Sequence, residues 1–292
     1  MSLVISQLIN GLQSGSIYAL VALGYSMVYG IIMLLNFAHG DIIMVGAYIA
    51  WLVIVRLSLS PVIAIILAIV VCTVLGVTIE KVAYTPLRSS PRLSLLITAI
   101  GVSFLLENLA QRIFGAGSQN VPTLISGPSL NIGGQHISFT AMITIVVSVI
   151  SMVALTFLVQ KTKMGKAMRA VSEDMGTSQL MGINVNRTIS FTFAVGSALA
   201  GIGSVLYCCA YPQASPTMGA MLGLKAFVAA VLGGIGSLPG AMLGGFCIGI
   251  AEAAVSAIGL SVWKDGVVFA ILIIVLIFKP TGILGKVINE KV

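Results

Sequence analysis

The sequence has 292 residues, of which 58% are hydrophobic and only 8% are charged, and its mean hydropathy is +1.12. Charged residues make up about a quarter of soluble domains, so this composition excludes an ordinary soluble protein and predicts a membrane protein. The net charge of +7 comes from basic residues scattered through short connections, and therefore it does not indicate nucleic-acid binding.

Apolar runs recur along the whole chain and are separated by short polar connections. About 20 apolar residues span the hydrocarbon core of a bilayer, so the runs predict an all-α polytopic membrane protein with about eight transmembrane helices. The connections leave no room for a soluble domain, and we predict one transmembrane domain over residues 1–292. We expect the first run to stay in the protein, because neither a basic region nor a cleavage site accompanies it. The runs cover residues 8–30, 41–55, 60–80, 93–113, 138–159, 188–211, 223–258 and 266–279.

The first predicted break in a membrane segment lies at residues 31–41. Asn36, His39 and Asp41 place polar side chains in otherwise apolar sequence. Asp41 is positioned to cap the helix that follows, and this capping role and a role in contacting a transported substrate both stay open. Ionisable side chains are costly inside a membrane, so His39 and Asp41 are candidates for function.

The second predicted break lies at residues 232–240, within a longer apolar segment. A continuous helix over residues 222–258 would be about 54 Å long, whereas the hydrocarbon core is about 30 Å thick. The glycines of this segment and Pro239 therefore indicate two shorter helices folded back on each other. Paired breaks point to a translocation pathway, because the exposed backbone groups need protein or cavity water as partners. We predict that the pathway includes Asn36, His39, Gly40, Asp41, Gly233, Gly234, Gly236 and Glu252.

Three glutamates in or beside the apolar runs have simpler interpretations. Glu80 lies beside Lys81 at the edge of a run, and Glu107 could pair with Arg112 near the edge of another. For Glu252, a structural hydrogen bond and a role along the pathway are equally compatible with the sequence.

Pairs of small residues four positions apart predict close packing between helices. The packing could lie within the chain or at an interface with another subunit, and the sequence leaves both possibilities open. The pairs are Ser197/Gly201, Gly219/Gly223, Gly240/Gly244 and Gly245/Gly249.

The longest polar interruption, residues 160–187, concentrates basic and acidic side chains in a chain that has few of either. The positive-inside rule predicts that this loop and the C-terminus face the cytoplasm, while residues 115–138 face outside. Residues 166–180 predict a short helix that ends at Gly182. The loop is the largest polar surface, so we predict that a soluble partner binds it through Gly165, Lys166, Arg169, Glu173, Asp174, Gly182 and Ile183.

Residue patterns for catalysis or for a bound cofactor are not recognisable in the sequence. It contains no Gly-x-x-x-x-Gly-Lys-Ser/Thr phosphate-binding motif, its four cysteines lack metal-ligand spacing, and its only histidines are His39 and His136. We therefore predict that the chain is not an enzyme and holds no catalytic residue, metal or cofactor of its own.

Several longer motifs resemble the permease subunits of bacterial branched-chain amino-acid ABC importers, the LivH/LivM family. The resemblance runs essentially from end to end of the chain. The motifs that carry it span residues 15–20, 25–31, 36–41, 83–90, 164–167, 182–184, 225–242 and 280–285. Residues 173–174 depart from the Glu-Ala-Ala-x-x-x-Gly pattern of other importer permeases, because acidic residues stand where alanines are expected.

The resemblance implies a multi-pass subunit of the bacterial inner membrane that forms a translocation pathway for leucine, isoleucine or valine. It implies a second permease chain, usually a different one, two cytoplasmic ATPase subunits that bind ATP and Mg²⁺, and a periplasmic substrate-binding protein. Within the same family, a permease for urea, short amides or polar amino acids is the alternative. An ion-coupled secondary transporter that works alone is an alternative from a different class.

Overall fold

The computed structural model describes residues 2–33, 36–88, 90–125, 127–132 and 135–285, which form a bundle of helices. Among these residues, eight helices are long and apolar enough to cross a membrane. The predicted all-α, polytopic membrane fold is therefore confirmed. The α-helices are α1 Ser2–Ile32, α2 His39–Trp51, α3 Pro61–Ile79, α4 Arg92–Phe114, α5 Phe139–Lys161, α6 Lys163–Glu173, α7 Met175–Leu180, α8 Val185–Ala210, α9 Met218–Gly233, α10 Leu238–Ala257 and α11 Lys264–Phe278.

Within the described residues, four short strands lie at one end of the bundle, which we call the strand end. β1 (Gln119–Asn120) pairs antiparallel with β4 (Gln213–Ala214), and β2 (Leu130–Ile132) pairs antiparallel with β3 (Gln135–Ile137). Helix α5 crosses from this end to the other, where α6 and α7 form a short helical hairpin before α8 returns. We call that other end the hairpin end.

Helix α1 is the central helix of the bundle, because 83% of its most apolar window is buried, against 6% for α11. It packs antiparallel to α10 through glycines on both helices. A Cβ on Gly15 would lie 2.9 Å from the Cα of Phe246, and a Cβ on Gly30 would lie 3.3 Å from the Cα of Gly236. The two backbones can approach this closely only because these positions lack side chains.

The four predicted pairs of small residues all make contacts within the chain. Gly219 and Gly223 pack against Gly40, and Gly245 packs against Ala19. The remaining pairs behave in the same way, and their partners are Gly76 for Ser197, Ile69 for Gly201, Gly233 for Gly240, Ala229 for Gly244 and Gly15 for Gly249. These seven glycines and Ser197 therefore pack helices of the same chain against each other.

Both predicted breaks occur in the structure. Helix α1 ends at Ile32 and α2 begins at His39, while α9 ends at Gly233 and α10 begins at Leu238. Residues 34 and 35 of the first break lie outside the described residues. Helix α3 also continues past its last α-helical turn through a π-helical turn, Glu80–Tyr84.

Candidate transport and coupling sites

The first break brings three buried polar side chains against different neighbours. Asn36, His39 and Asp41 are each no more than 3% exposed. The Tyr84 hydroxyl donates to Asn36 Oδ1 at 2.9 Å, and the His39 ring packs edge-on against Tyr25 with 5.0 Å between centroids. Within the described chain, Asn36 Nδ2, His39 Nε2 and Asp41 Oδ1 make no hydrogen bond. This concentration of buried polar atoms makes the break a candidate part of a pathway.

Asp41 does not cap α2, so the capping prediction is wrong. The residue at the N-cap position is Ala38, and the backbone N–H groups of Asp41 and Ile42 both bond to its carbonyl oxygen. Asp41 instead lies inside the first helical turn, where its Oδ2 accepts a hydrogen bond from Ser103 of α4. Its side chain still lies near the N-terminal, positive end of the α2 dipole.

The second break is a tight turn between α9 and α10 that depends on glycine. Gly234 has φ +105° and Gly236 has φ +86°, values that side-chain-bearing residues rarely adopt. On the far side of the turn, Ser237 caps α10 by accepting a hydrogen bond from the Gly240 backbone N–H at 3.2 Å. Pro239 lies in the first helical turn, where its missing N–H costs nothing.

A segment that follows α11 forms hydrogen bonds with the backbone at this second break. We call residues 279–285 the C-terminal strap. Its Ile283 and Leu284 backbone N–H groups donate to the carbonyl oxygens of Leu232 and Gly233, each at 2.9 Å. These carbonyls belong to the last turn of α9, which has no helical partners for them. The strap motif was visible in the sequence at 280–285, but nothing local in it indicated that it binds the break.

Glu252 lies in a buried ionic cluster away from both breaks. Lys225 Nζ is 2.7 Å from Glu252 Oε1 and 2.6 Å from Asp265 Oδ1, and the Tyr18 hydroxyl donates to Glu252 Oε2 at 2.8 Å. The cluster joins α1, α9, α10 and α11. This arrangement supports the structural interpretation of Glu252, because one carboxylate oxygen is ion-paired with Lys225 and the other accepts a hydrogen bond from Tyr18, both on other helices.

The predicted pathway residues therefore occupy three places rather than one. Residues 36–41 contact α1, α4 and α9, residues 233–236 contact the C-terminal strap and the end of α1, and Glu252 lies in the ionic cluster. Contact of any of them with a substrate stays a prediction. Lys225 was missed as a site residue, because its partners come from other helices.

The polar loop forms two helices instead of the single helix predicted over 166–180. Asp174 has an extended backbone, and its Oδ1 accepts a hydrogen bond from the Thr177 backbone N–H at 2.9 Å, so it ends α6 and caps α7. This bond holds the pKa of Asp174 below its usual value. Gly182, with φ +80°, ends α7 in a turn where the Ile183 N–H bonds to the Ser178 carbonyl at 3.0 Å.

The hairpin of α6 and α7 presents a mixed apolar and charged surface. Leu180 and Met181 are 89% and 78% exposed, which is unusual for large apolar side chains outside the membrane. A shallow groove of about 240 Å³ lies beside them, lined by Ala170, Glu173, Asp174, Thr177, Ser178, Met181 and Ile183. Such a surface can bind a soluble partner through an apolar centre and an acidic rim.

The other predicted coupling residues divide between this surface and the support beneath it. Lys166, Arg169 and Glu173 are exposed on α6, whereas Gly165 is buried where α5 turns into α6. A Cβ on Gly165 would clash with backbone carbonyl oxygens of α5, so Gly165 shapes the hairpin from below. Leu180 and Met181 were missed, although consecutive apolar residues in a polar loop were a usable signal.

A helical membrane bundle with two broken segments, and with an exposed apolar and charged hairpin at one end, is typical of the membrane component of a transport system. The family model for the permease component of branched-chain amino acid transport systems matches residues 7–276. The chain belongs to this family.

Curated relatives match over almost the whole chain. It is 44% identical to the high-affinity branched-chain amino acid transport system permease protein BraD of Pseudomonas aeruginosa, over 99% of this chain and 98% of BraD. It is 43% identical to LivH of Escherichia coli K12, over 99% and 97% of the two chains. A probable branched-chain amino acid transport permease protein LivH of Methanocaldococcus jannaschii is 27% identical, over 92% and 89%. No solved structure matches the chain.

Proposed function

We propose that this chain is the membrane permease of an ABC importer that carries leucine, isoleucine and valine into a bacterial cell. The observation that carries the proposal is the 44% identity to BraD over 99% of the chain, which leaves no part of the fold unmatched. The proposed complex contains a second permease chain of different sequence, two ATPase subunits that bind ATP and Mg²⁺, and a periplasmic binding protein. The bilayer of the inner membrane surrounds the permease pair.

The proposed docking site for an ATPase subunit is the hairpin of α6 and α7. Exposed Leu180 and Met181 supply apolar contacts, and Glu173 adds negative charge that a basic partner surface would recognise. Asp174 acts mainly as the cap of α7 and fixes the shape of this surface. ATP binding would move the hairpin and bias the permease pair between inward-open and outward-open states.

The two breaks are the proposed contribution of this chain to the pathway. A branched-chain amino acid is zwitterionic with an apolar side chain, so a pathway must offer polar groups beside apolar walls. Residues 36–41 provide buried polar atoms next to the aromatic rings of Tyr25 and Phe227, and broken helices add unpaired backbone groups. Inward passage would then follow from release of substrate by the binding protein into the outward-open state.

Uptake by the reconstituted complex tests this function. Liposomes holding both permease chains and both ATPases, supplied with the binding protein, should accumulate labelled leucine only with ATP and Mg²⁺. Excess unlabelled isoleucine or valine should suppress the signal, and excess urea should not. Suppression by urea or by polar amino acids alone would move the chain to another substrate class. Uptake by this chain alone, without ATP, would identify a secondary transporter instead.

Cysteine labelling in intact cells tests the proposed orientation, in which the hairpin end and the C-terminus are cytoplasmic. In a variant with all four native cysteines replaced, Gly117→Cys at the strand end should react with a membrane-impermeant maleimide. Gln179→Cys in α7 should react only after the membrane is broken, although both positions are exposed. The opposite pattern would reverse the topology that the positive-inside rule predicts.

A further inference from the structure

A buried carboxylate cluster joins the end of α3 to the beginning of α8. Glu80 is fully buried, and its Oε1 accepts a hydrogen bond from Thr85 Oγ1 at 2.8 Å and an ion pair from Arg88. Its Oε2 accepts a hydrogen bond from Ser190 Oγ at 2.7 Å. Arg88 also donates to Asn186 Oδ1. We call Glu80, Thr85, Arg88, Asn186 and Ser190 the Glu80 clasp.

The ion-pair partner of Glu80 is not its basic neighbour in the sequence. Lys81, the sequence neighbour of Glu80, is exposed, and among the described residues the ion pair of Glu80 is with Arg88. A buried carboxylate is tolerated only when its oxygens are well satisfied. Both oxygens of Glu80 are satisfied, and their partners come from two different helical segments, so the clasp fixes α8 against the end of α3.

Only a four-residue link connects the hairpin of α6 and α7 to helix α8. The link between α7 and α8 is residues 181–184, and its last residue, Asn184, caps α8 by accepting a hydrogen bond from the Arg187 N–H at 3.0 Å. Val185, the first residue of α8, is buried. We expect a displacement of the hairpin to reach the first two turns of α8, which contain the clasp residues Asn186 and Ser190.

The π-helical turn that begins with Glu80 also reaches the first break. Its last residue, Tyr84, is 2% exposed and packs against Phe193 of α8, with 5.5 Å between ring centroids. The Tyr84 hydroxyl donates to Asn36 Oδ1 at 2.9 Å. The first residue of this π turn, Glu80, therefore bonds to α8, and its last residue, Tyr84, bonds to the first break. Such π turns occur frequently at functional sites.

We infer that the Glu80 clasp and Tyr84 form a positioning element that passes movement of the hairpin to the first break. The inference rests on the proposed function, since it requires an ATPase that moves the hairpin. In this arrangement the Ser190 hydroxyl links α8 to Glu80 by a hydrogen bond, and the Tyr84 hydroxyl links the same π turn to Asn36. Removing either hydrogen bond should leave ATP hydrolysis intact but lower the amount of substrate transported per ATP.

The test measures leucine uptake per ATP hydrolysed by the reconstituted importer. Ser190→Ala and Tyr84→Phe each remove one hydroxyl without adding volume, and each should lower this ratio at least about fivefold, as loss of one buried hydrogen bond allows. Ser190→Thr keeps the hydroxyl and should restore the ratio. Thr78→Ala is the matched control, because the Thr78 hydroxyl bonds only within α3, and it should behave like the wild type.

Two further measurements separate coupling from structure. Co-purification of the ATPases should stay at the wild-type level in Ser190→Ala and Tyr84→Phe, and the melting temperature of the complex should fall by only the few degrees that one lost buried hydrogen bond costs. Wild-type uptake per ATP in both variants would overturn the inference, and so would a fall in uptake that only parallels loss of assembly or stability. Failure of the wild-type complex to import leucine with ATP would instead overturn the proposed function, and the inference with it.

Discussion

Gly234→Val should strongly destabilise the folded protein in the membrane. Gly234 has φ +105°, and a Cβ at this position would lie 2.6 Å from the Cα of Gly285 in the C-terminal strap. Valine would add backbone strain and a clash with backbone that cannot move aside, together on the order of 3 kcal/mol or more. That cost is a large part of the stability of a typical domain.

Gly236→Val provides the matched comparison for this prediction. Gly236 also has a positive φ, +86°, but the nearest atom to an added Cβ is the Cα of Gly30 at 3.6 Å. Gly236→Val should therefore add only backbone strain, and it should lower the stability of the protein less than Gly234→Val does. Gly101→Ala, where an added Cβ meets nothing within 4 Å, should be near wild type. The yield of monodisperse protein in detergent and the melting temperature measure the stability of the three variants. Equal losses of stability in Gly234→Val and Gly236→Val would show that contact with the C-terminal strap is unimportant.

Lys225→Met should destabilise the bundle strongly by leaving two carboxylates without their cation. Glu252 is 6% exposed, so its charge cannot be solvated when Lys225 Nζ, at 2.7 Å, is removed. Breaking a buried ion pair by removing one partner costs about 3–5 kcal/mol. Unfolding of the purified protein in detergent, by heat or by titrated sodium dodecyl sulfate, measures this loss.

The double variant Lys225→Met, Glu252→Met separates the cost of an unpaired charge from the value of the pair. Replacing both partners with apolar residues is often nearly neutral, so the double variant should regain much of the stability that the single variant loses. Tyr18→Phe removes one hydrogen bond to Glu252 and should cost about 1–2 kcal/mol. A double variant less stable than Lys225→Met would mean that the cluster does not behave as a buried ion pair.

The breaks could be predicted from the sequence because the residues that end helices act locally. Gly233, Gly234 and Pro239 interrupt an apolar segment that is too long for one span, and the structure ends α9 and starts α10 within residues 233–238. The capping role of Asp174 could also be predicted from the sequence, because Asp is among the residues preferred at a helix N-cap. Its negative charge is equally compatible with binding a partner, so the sequence alone does not separate the two roles.

Pairings between distant residues could not be predicted in the same way. The partners of Lys225 lie on two later helices, and those of Glu80 include Ser190 on α8. Hydrophobic patterning indicates which residues enter the membrane, but in uniformly apolar helices it says little about which faces meet. For the same reason, Asp41 looked like a cap in sequence, whereas its carboxylate bonds to Ser103 of α4.

The C-terminal strap has a consequence for biosynthesis. Leu232 and Gly233 receive their N–H partners from Ile283 and Leu284, which the ribosome adds after every helix of the described structure. Until then, two carbonyl groups at the end of α9 have to be satisfied by lipid headgroups, water or the insertion machinery, because unpaired backbone groups are costly in hydrocarbon. The turn between α9 and α10 is therefore completed only after α11 has been made, and a chain released early would carry an open, unfinished hairpin for quality-control proteases to recognise.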